Sequence, residues 1–82
     1  MNRNGRTDRA RVMGIRWTWD YRARKWVGNS LIGAWHLWQH EGKWLLASPE
    51  GAIYTLDKRD RLAAMVQAGL KIAEVERYLA GR

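Results

Sequence analysis

Apolar and polar residues alternate strictly near the start of the chain. Five apolar residues occupy every second position: Met13, Ile15, Trp17, Trp19 and Tyr21. A period of two with aromatic and β-branched residues predicts a strand with one buried face. We therefore expect a strand over residues 13–22, with Arg16, Thr18 and Asp20 on its outer face.

The pattern continues as an antiparallel meander. Residues 22–30 predict a basic turn or short strand around Trp26-Val27, closed by Gly28-Asn29-Ser30. Further strands are expected at 31–39, 43–47 and 52–56. Two turns separate them, because each contains the Gly or Pro that tight turns favour: His40-Glu41-Gly42 and Ser48-Pro49-Glu50-Gly51.

These later strands carry apolar residues on both faces. Trp35 and Leu37 are expected on one face, with Ala34, His36 and Trp38 on the other. Helices can cover one face. The other face must then be closed by curvature of the sheet, by the N-terminal region, by a second copy or by a partner.

A first helix is predicted for residues 58–68. Asp57 suits the N-cap, and Asp60 would lie in the first turn, where the helix dipole favours a carboxylate. Gly69 is the residue type expected just past the end of a helix. The apolar face of this helix follows the helical period: Leu62, Met65 and Val66.

A second helix is predicted for residues 71–80, with one apolar stripe: Ile72, Val75 and Leu79. Each helix has a single stripe, so both would pack on the same face of the sheet. The sequence thus predicts an α+β fold, in which an antiparallel Trp-rich sheet of three to four strands precedes two short C-terminal helices. We expect residues 12–82 to form a single domain.

The composition narrows the class of protein. The chain has 82 residues and no cysteine, which predicts one small domain without a disulfide framework or a thiolate metal site. No apolar run approaches the length of a membrane helix, and the charged N-terminus lacks the apolar segment of a secretory signal. We expect a cytoplasmic protein without a membrane partner.

The positive charge is concentrated in the first third of the chain. Residues 1–25 hold eight basic and two acidic groups, whereas residues 26–82 contribute a net charge of +1 to the total of +7. Residues 1–11 lack apolar periodicity and are expected to form a flexible basic arm. Such an asymmetry favours a polyanionic partner, while a solvated tail that maintains solubility is the alternative.

The sequence contains few candidates for catalytic residues. His36 and His40 lie on or beside a strand, where four residues span roughly 13 Å, too far for one metal ion. Ser30 and Ser48 lie in turns without a nucleophile-elbow sequence, and no Gly-rich phosphate loop precedes a helix. We expect no enzyme activity, no metal, no cofactor and no small-molecule substrate.

The segment from Gly42 to Val66 resembles the small amino-terminal DNA-binding domain of phage integrases. The matching positions are Gly42-Lys43-Trp44, Gly51, Tyr54, Asp57-Lys58 and Ala63-Ala64. The resemblance implies a three-stranded sheet followed by a helix, with the open face of the sheet in the major groove of DNA. This chain departs from that pattern, because its strands carry Trp and Leu where a DNA-binding face requires basic and polar groups.

The leading hypothesis is binding of duplex DNA through the arm and the basic strand face. The residues expected to contact phosphates or the groove are Arg9, Arg11, Arg16, Arg22, Arg24 and Lys25. Trp26 or Trp38 would remain as an exposed aromatic ring.

The alternative is a small protein-interaction module of the kind common among phage proteins that block a host complex. Six tryptophans lie between residues 17 and 44, more than one thin core easily encloses. Because interfaces favour Trp and Arg, we expect its contact residues among four indoles: Trp26, Trp35, Trp38 and Trp44. A homodimer through the uncovered face of the sheet fits either hypothesis.

Overall fold

The computed structural model describes residues 8–81, which form one antiparallel sheet and one helix. Six strands follow one another as a meander: β1 (Arg9–Val12), β2 (Ile15–Asp20), β3 (Lys25–Ser30), β4 (Gly33–His40), β5 (Lys43–Ala47) and β6 (Ile53–Leu56). Helix α1 (Arg61–Ala80) follows the sheet. The predicted α+β class and antiparallel sheet are confirmed, but the sheet has six strands instead of three to four and a single helix replaces the predicted two.

Strand β1 corrects the predicted extent of the basic arm. Arg9 pairs with Thr18, and Arg11 pairs with Arg16, so residues 9–11 belong to the sheet. Met13 and Gly14 make the turn between the strands, and both have positive φ angles, of 54° and 77°. The remainder of the predicted arm, residues 1–7, lies outside the described residues.

Strand β3 corrects the turn predicted at Gly28-Asn29-Ser30. Gly28 lies inside the strand, paired with Trp17 on one side and Trp35 on the other. A Cβ atom at this position would lie 2.8 Å from the Ile15 Cγ2 atom and 2.8 Å from the Trp17 Cε3 atom. Glycine is therefore present because the neighbouring indole occupies the space that a side chain would fill.

Helix α1 runs through the glycine that was expected to end it. An added Cβ at Gly69 would lie 2.7 Å from the Met13 Cβ, so the glycine allows the helix to pass close to the β1–β2 turn. The N-cap is Asp60 and not Asp57, because the Asp60 Oδ2 accepts a hydrogen bond from the Ala63 N–H at 3.0 Å. Within residues 8–81, no helix combines the length and apolar character needed to cross a membrane.

The core lies between α1 and one face of the sheet. Each strand from β2 to β6 contributes buried residues: Trp17, Trp26, Trp35, Leu37, Trp44, Leu46 and Leu56. The helix contributes the side chains of Ala64, Met65, Ala68 and Ile72. The helix contacts both outer strands of the sheet, β1 and β6.

The opposite side of the sheet, called the open face below, has no described element packed on it. Strand alternation brings to this face the residues between the buried ones, including Ala34, His36 and Trp38 of β4. This agrees with the two-sided pattern predicted for the strand. The helix also keeps an uncovered stripe, because Leu62 is 59% exposed although it was predicted to share the core face with Met65.

Candidate functional site

The β1–β2 hairpin forms a two-stranded ribbon at one edge of the sheet. Ala10 and Val12 of β1 pack against the core, which sends Arg9 and Arg11 to the open face. Arg16 and Thr18 of β2 lie opposite them in the antiparallel register. The side chains of Arg9, Arg11, Arg16 and Thr18 are all exposed, and together they form what we call the basic ribbon.

The three guanidinium groups of the basic ribbon carry uncompensated charge. No ion pair joins Arg9, Arg11 or Arg16 to a carboxylate of residues 8–81. The described Lys-carboxylate pairs lie elsewhere, in the loop before the helix and on the helix itself. Three positive charges on two neighbouring strands thus face solvent from one side of the sheet, where a polyanion can approach them.

The other three predicted basic residues are placed differently. Lys25 lies on the open face, but its Nζ atom is 4.4 Å from the centre of the Trp38 ring, in a cation–π contact. Arg22 and Arg24 lie in the β2–β3 turn. The Asp20 Oδ1 holds this turn by accepting hydrogen bonds from the N–H groups of Arg22 and Ala23.

The tryptophans of the predicted protein interface belong mostly to the core. Trp26, Trp35 and Trp44 are 4%, 0% and 7% exposed, because they fill the space between the sheet and α1. This burial corrects the expectation that these rings are available to a partner. Trp38 is the exception: it lies half-buried on the open face, opposite Leu45 in the register.

A cavity of about 520 Å³ lies at one end of the sheet, next to the start of α1. We call it the aromatic cavity, because five rings from four strands and one turn line it together with two cations. The rings and cations that define it are Trp19, Tyr21, Trp26, Trp38, Trp44, Arg24 and Arg61.

The aromatic cavity has angled walls. The centre of the Trp19 ring lies 5.3 Å from that of Trp26 at 62°, and 6.5 Å from that of Tyr21 at 89°. The Arg61 guanidinium carbon lies 5.1 Å from the centre of the Trp26 ring. One carboxylate, Asp8, also lines the cavity and accepts a short hydrogen bond from the Tyr21 hydroxyl.

The histidines do not form a metal centre with other described residues. His40 lies 3.8 Å from Glu41 in the β4–β5 turn, and His36 lies in the middle of β4. Among residues 8–81, no group of three or more His, Cys, Asp or Glu side chains is placed to hold a metal ion.

The sequence pattern named the three arginines of the basic ribbon, but it predicted neither the hairpin that joins them nor the aromatic cavity. Arg9, Arg11 and Arg16 were singled out by charge, and the hairpin brings them to one face. The cavity joins Trp19 and Tyr21 to Arg61, which is distant from both in the chain. No local pattern connects residues at that separation, and strand alternation marks Tyr21 only as a residue of the buried face.

The comparisons identify no relative. The chain matches no protein-family model, no curated protein and no solved structure. The resemblance to the integrase domain therefore stays a prediction, and function is inferred from the geometry of the chain itself.

Proposed function

We propose that this protein is a non-enzymatic nucleic-acid-binding protein that contacts duplex DNA through the basic ribbon. The observation that supports the proposal is the alignment of Arg9, Arg11 and Arg16 on one exposed face of two paired strands, without a carboxylate partner among residues 8–81.

The shape of the ribbon suits the major groove. The major groove of B-DNA admits a two-stranded β-ribbon. The β1–β2 hairpin lies at the edge of the sheet, and no strand lies beyond β1 to prevent the hairpin from entering the groove. Guanidinium groups can contact phosphates or the guanine edge, and the Thr18 hydroxyl can hydrogen-bond a base. The open face continues from the basic ribbon to Lys25, the first residue of β3. Lys25 directly follows the β2–β3 turn, which contains Arg22.

The test measures duplex DNA binding as a function of salt. Replacing Arg9, Arg11 and Arg16 together by Gln keeps the side-chain stems and removes the charges. We expect affinity at low salt to fall strongly. The slope of log K against log salt should become less steep by about 0.9 for each phosphate that the variant no longer neutralises.

A control removes three exposed charges outside the basic ribbon, in the loop before α1 and on α1: Lys58, Arg59 and Arg77, each replaced by Gln. This control should keep a salt slope close to that of the parent protein. Equal losses of affinity in the two variants would mean that net charge alone drives binding. Absence of binding by the parent protein at low salt would reject the proposal.

A second candidate is binding of a protein partner at the centre of the open face. The observation that favours it is the half-buried Trp38 ring beside Leu45, with Val27 on the adjacent strand, an apolar area next to Arg-bearing strands. Replacing Trp38 by Ala should abolish this binding, while DNA affinity would depend mainly on the ribbon arginines.

A further inference from the structure

We infer that the aromatic cavity is a binding site for a single nucleotide unit, with the base against the Trp19 and Tyr21 rings and the phosphate on Arg24 and Arg61. This goes beyond the duplex-binding proposal, because none of the ribbon arginines lines the cavity.

The rings of the cavity offer a stacking surface. Trp19 is half-buried and Tyr21 is 53% exposed, and both line the cavity. They meet edge to face instead of stacking on each other. A planar aromatic ligand can therefore stack on one ring and contact the edge of another, as bases do on aromatic side chains. Trp26 and Trp44, which are buried, form a rigid floor.

The charged residues that line the aromatic cavity favour an anionic ligand. Arg24 and Arg61 approach the cavity from the β2–β3 turn and from the first residue of α1. Among the described residues, Asp8 is the single carboxylate in the lining, and it accepts a hydrogen bond from the Tyr21 hydroxyl. Two guanidiniums against one engaged carboxylate leave a net positive site. Such a site disfavours a methylammonium group, the usual ligand of aromatic cages, and favours a phosphate.

The backbone of Arg24 adopts a conformation that is unusual for arginine. Its φ angle is +59°, in the left-handed region where Gly or Asn is the usual residue. The Arg24 N–H donates to the Asp20 carbonyl at 2.7 Å, which closes the turn in this conformation. Met13 and Glu41 adopt the same conformation in two other hairpin turns, so it belongs to the turn, which places Arg24 in the lining of the cavity.

The volume of the aromatic cavity is also in the range of small-ligand sites. Small-molecule and cofactor sites usually enclose about 300–1,000 Å³, and this cavity measures about 520 Å³. The volume is thus within the range of sites that hold a small ligand, and the ligand proposed here is a base with a sugar and one phosphate. The same chemistry is presented by a free nucleoside monophosphate and by one unstacked nucleotide of a single strand, and the experiment separates these two sources.

The experiment titrates the full chain with adenosine monophosphate at physiological salt, using tryptophan fluorescence and calorimetry. Saturable binding with one site is expected. Arg24→Gly removes the guanidinium and places the residue best suited to the positive φ, so the variant should fold at least as well as the parent. We expect it to bind about tenfold more weakly, which corresponds to the loss of one charge-assisted hydrogen bond. Arg61→Gln should behave similarly.

Three further titrations complete the test. Inorganic phosphate alone should bind far more weakly than the nucleotide, and the variant with Gln at Arg9, Arg11 and Arg16 should keep the nucleotide affinity. Tighter binding of a short single-stranded oligonucleotide than of the free nucleotide would assign the source to nucleic acid, and the reverse order would assign it to a free nucleotide.

The inference would be overturned by unchanged affinity in Arg24→Gly, by phosphate binding as tightly as the nucleotide, or by no saturable binding. These outcomes are distinguishable from failure of the duplex proposal, because the duplex test depends on the ribbon arginines and this test depends on the cavity arginines.

Discussion

At the scale of single residues, the buried tryptophans differ in what their indole N–H groups contact. The Trp35 Nε1 donates to the Ser30 Oγ at 2.8 Å, and the Trp44 Nε1 donates to the Arg59 carbonyl at 2.8 Å. The Trp17 Nε1 is buried without a hydrogen-bond partner among the described residues. An unsatisfied buried donor costs about 1–3 kcal/mol, so the packing of Trp17 must compensate for it.

A single methyl group at Gly28 would disturb the packing of the Trp17 ring. In Gly28→Ala, the new Cβ would meet the Trp17 ring and the Ile15 side chain at 2.8 Å, while the φ angle needs no change. We expect a loss of about 1–3 kcal/mol in the free energy of unfolding, the usual effect of overpacking. Chemical denaturation measures it.

A double variant identifies the cause of that loss. Trp17→Leu makes room for the methyl group that Gly28→Ala introduces. The combined loss of stability in the double variant should therefore be smaller than the sum of the two single losses. Strictly additive losses would show that the clash with the indole is not the reason for glycine at this position.

At the scale of elements, α1 shows which apolar residues of a helix face the core. Met65, Ala68 and Ile72 are buried against the sheet, whereas Leu62 and Leu70 are 59% and 55% exposed on the outer side. The sequence alone groups Leu62 with Met65, since both fit a helical stripe. The position of the sheet decides which of the possible stripes is covered.

The two sides of α1 should therefore respond differently to truncation. Met65→Ala removes a fully buried side chain and should cost about 2–5 kcal/mol of unfolding free energy. Leu62→Ala, one helical turn away, should cost well under about 1 kcal/mol, because the side chain is already largely in water. Thermal or urea unfolding of the two variants provides the comparison, and equal losses would contradict the packing described for α1.

At the scale of the whole molecule, one face of the sheet packs against a single helix, and no described element covers the other face. β3 and β4 are paired on both sides, whereas β1 and β6 are the edges of the sheet. The protein thus has a well-protected centre and two short edges. The basic ribbon includes one of these edges, and the aromatic cavity lies near the end of the sheet where α1 begins.

Hydrogen exchange should follow this arrangement. Amides in β3 and β4 are expected to exchange slowest, close to the rate set by global unfolding, and those in β1 and β6 fastest among the strands, because edge strands open without disrupting the centre. Residue-resolved exchange in native buffer measures the order. Protection of β1 equal to that of β4 would indicate that something further covers this edge.

Features that depend on neighbouring residues could be predicted from the amino-acid sequence. Strict alternation places Trp17 on a buried face and Arg16 on the other, and Gly42 supplies a positive φ angle in a tight turn. The charge asymmetry likewise identifies the arginines of the basic ribbon without a structure. These properties are local, because strand alternation and turn conformation are set within a few residues.

Features that depend on distant residues are visible only once the chain is folded. Gly69 ends a helix in the local pattern, yet α1 continues through it, and the glycine leaves the space that Met13 occupies. Arg24 and Arg61 share a cavity because the β2–β3 turn and the start of α1 meet at one end of the sheet. The physical reason is the same in both cases: steric fit and the convergence of charges arise between elements, and no local periodicity records them.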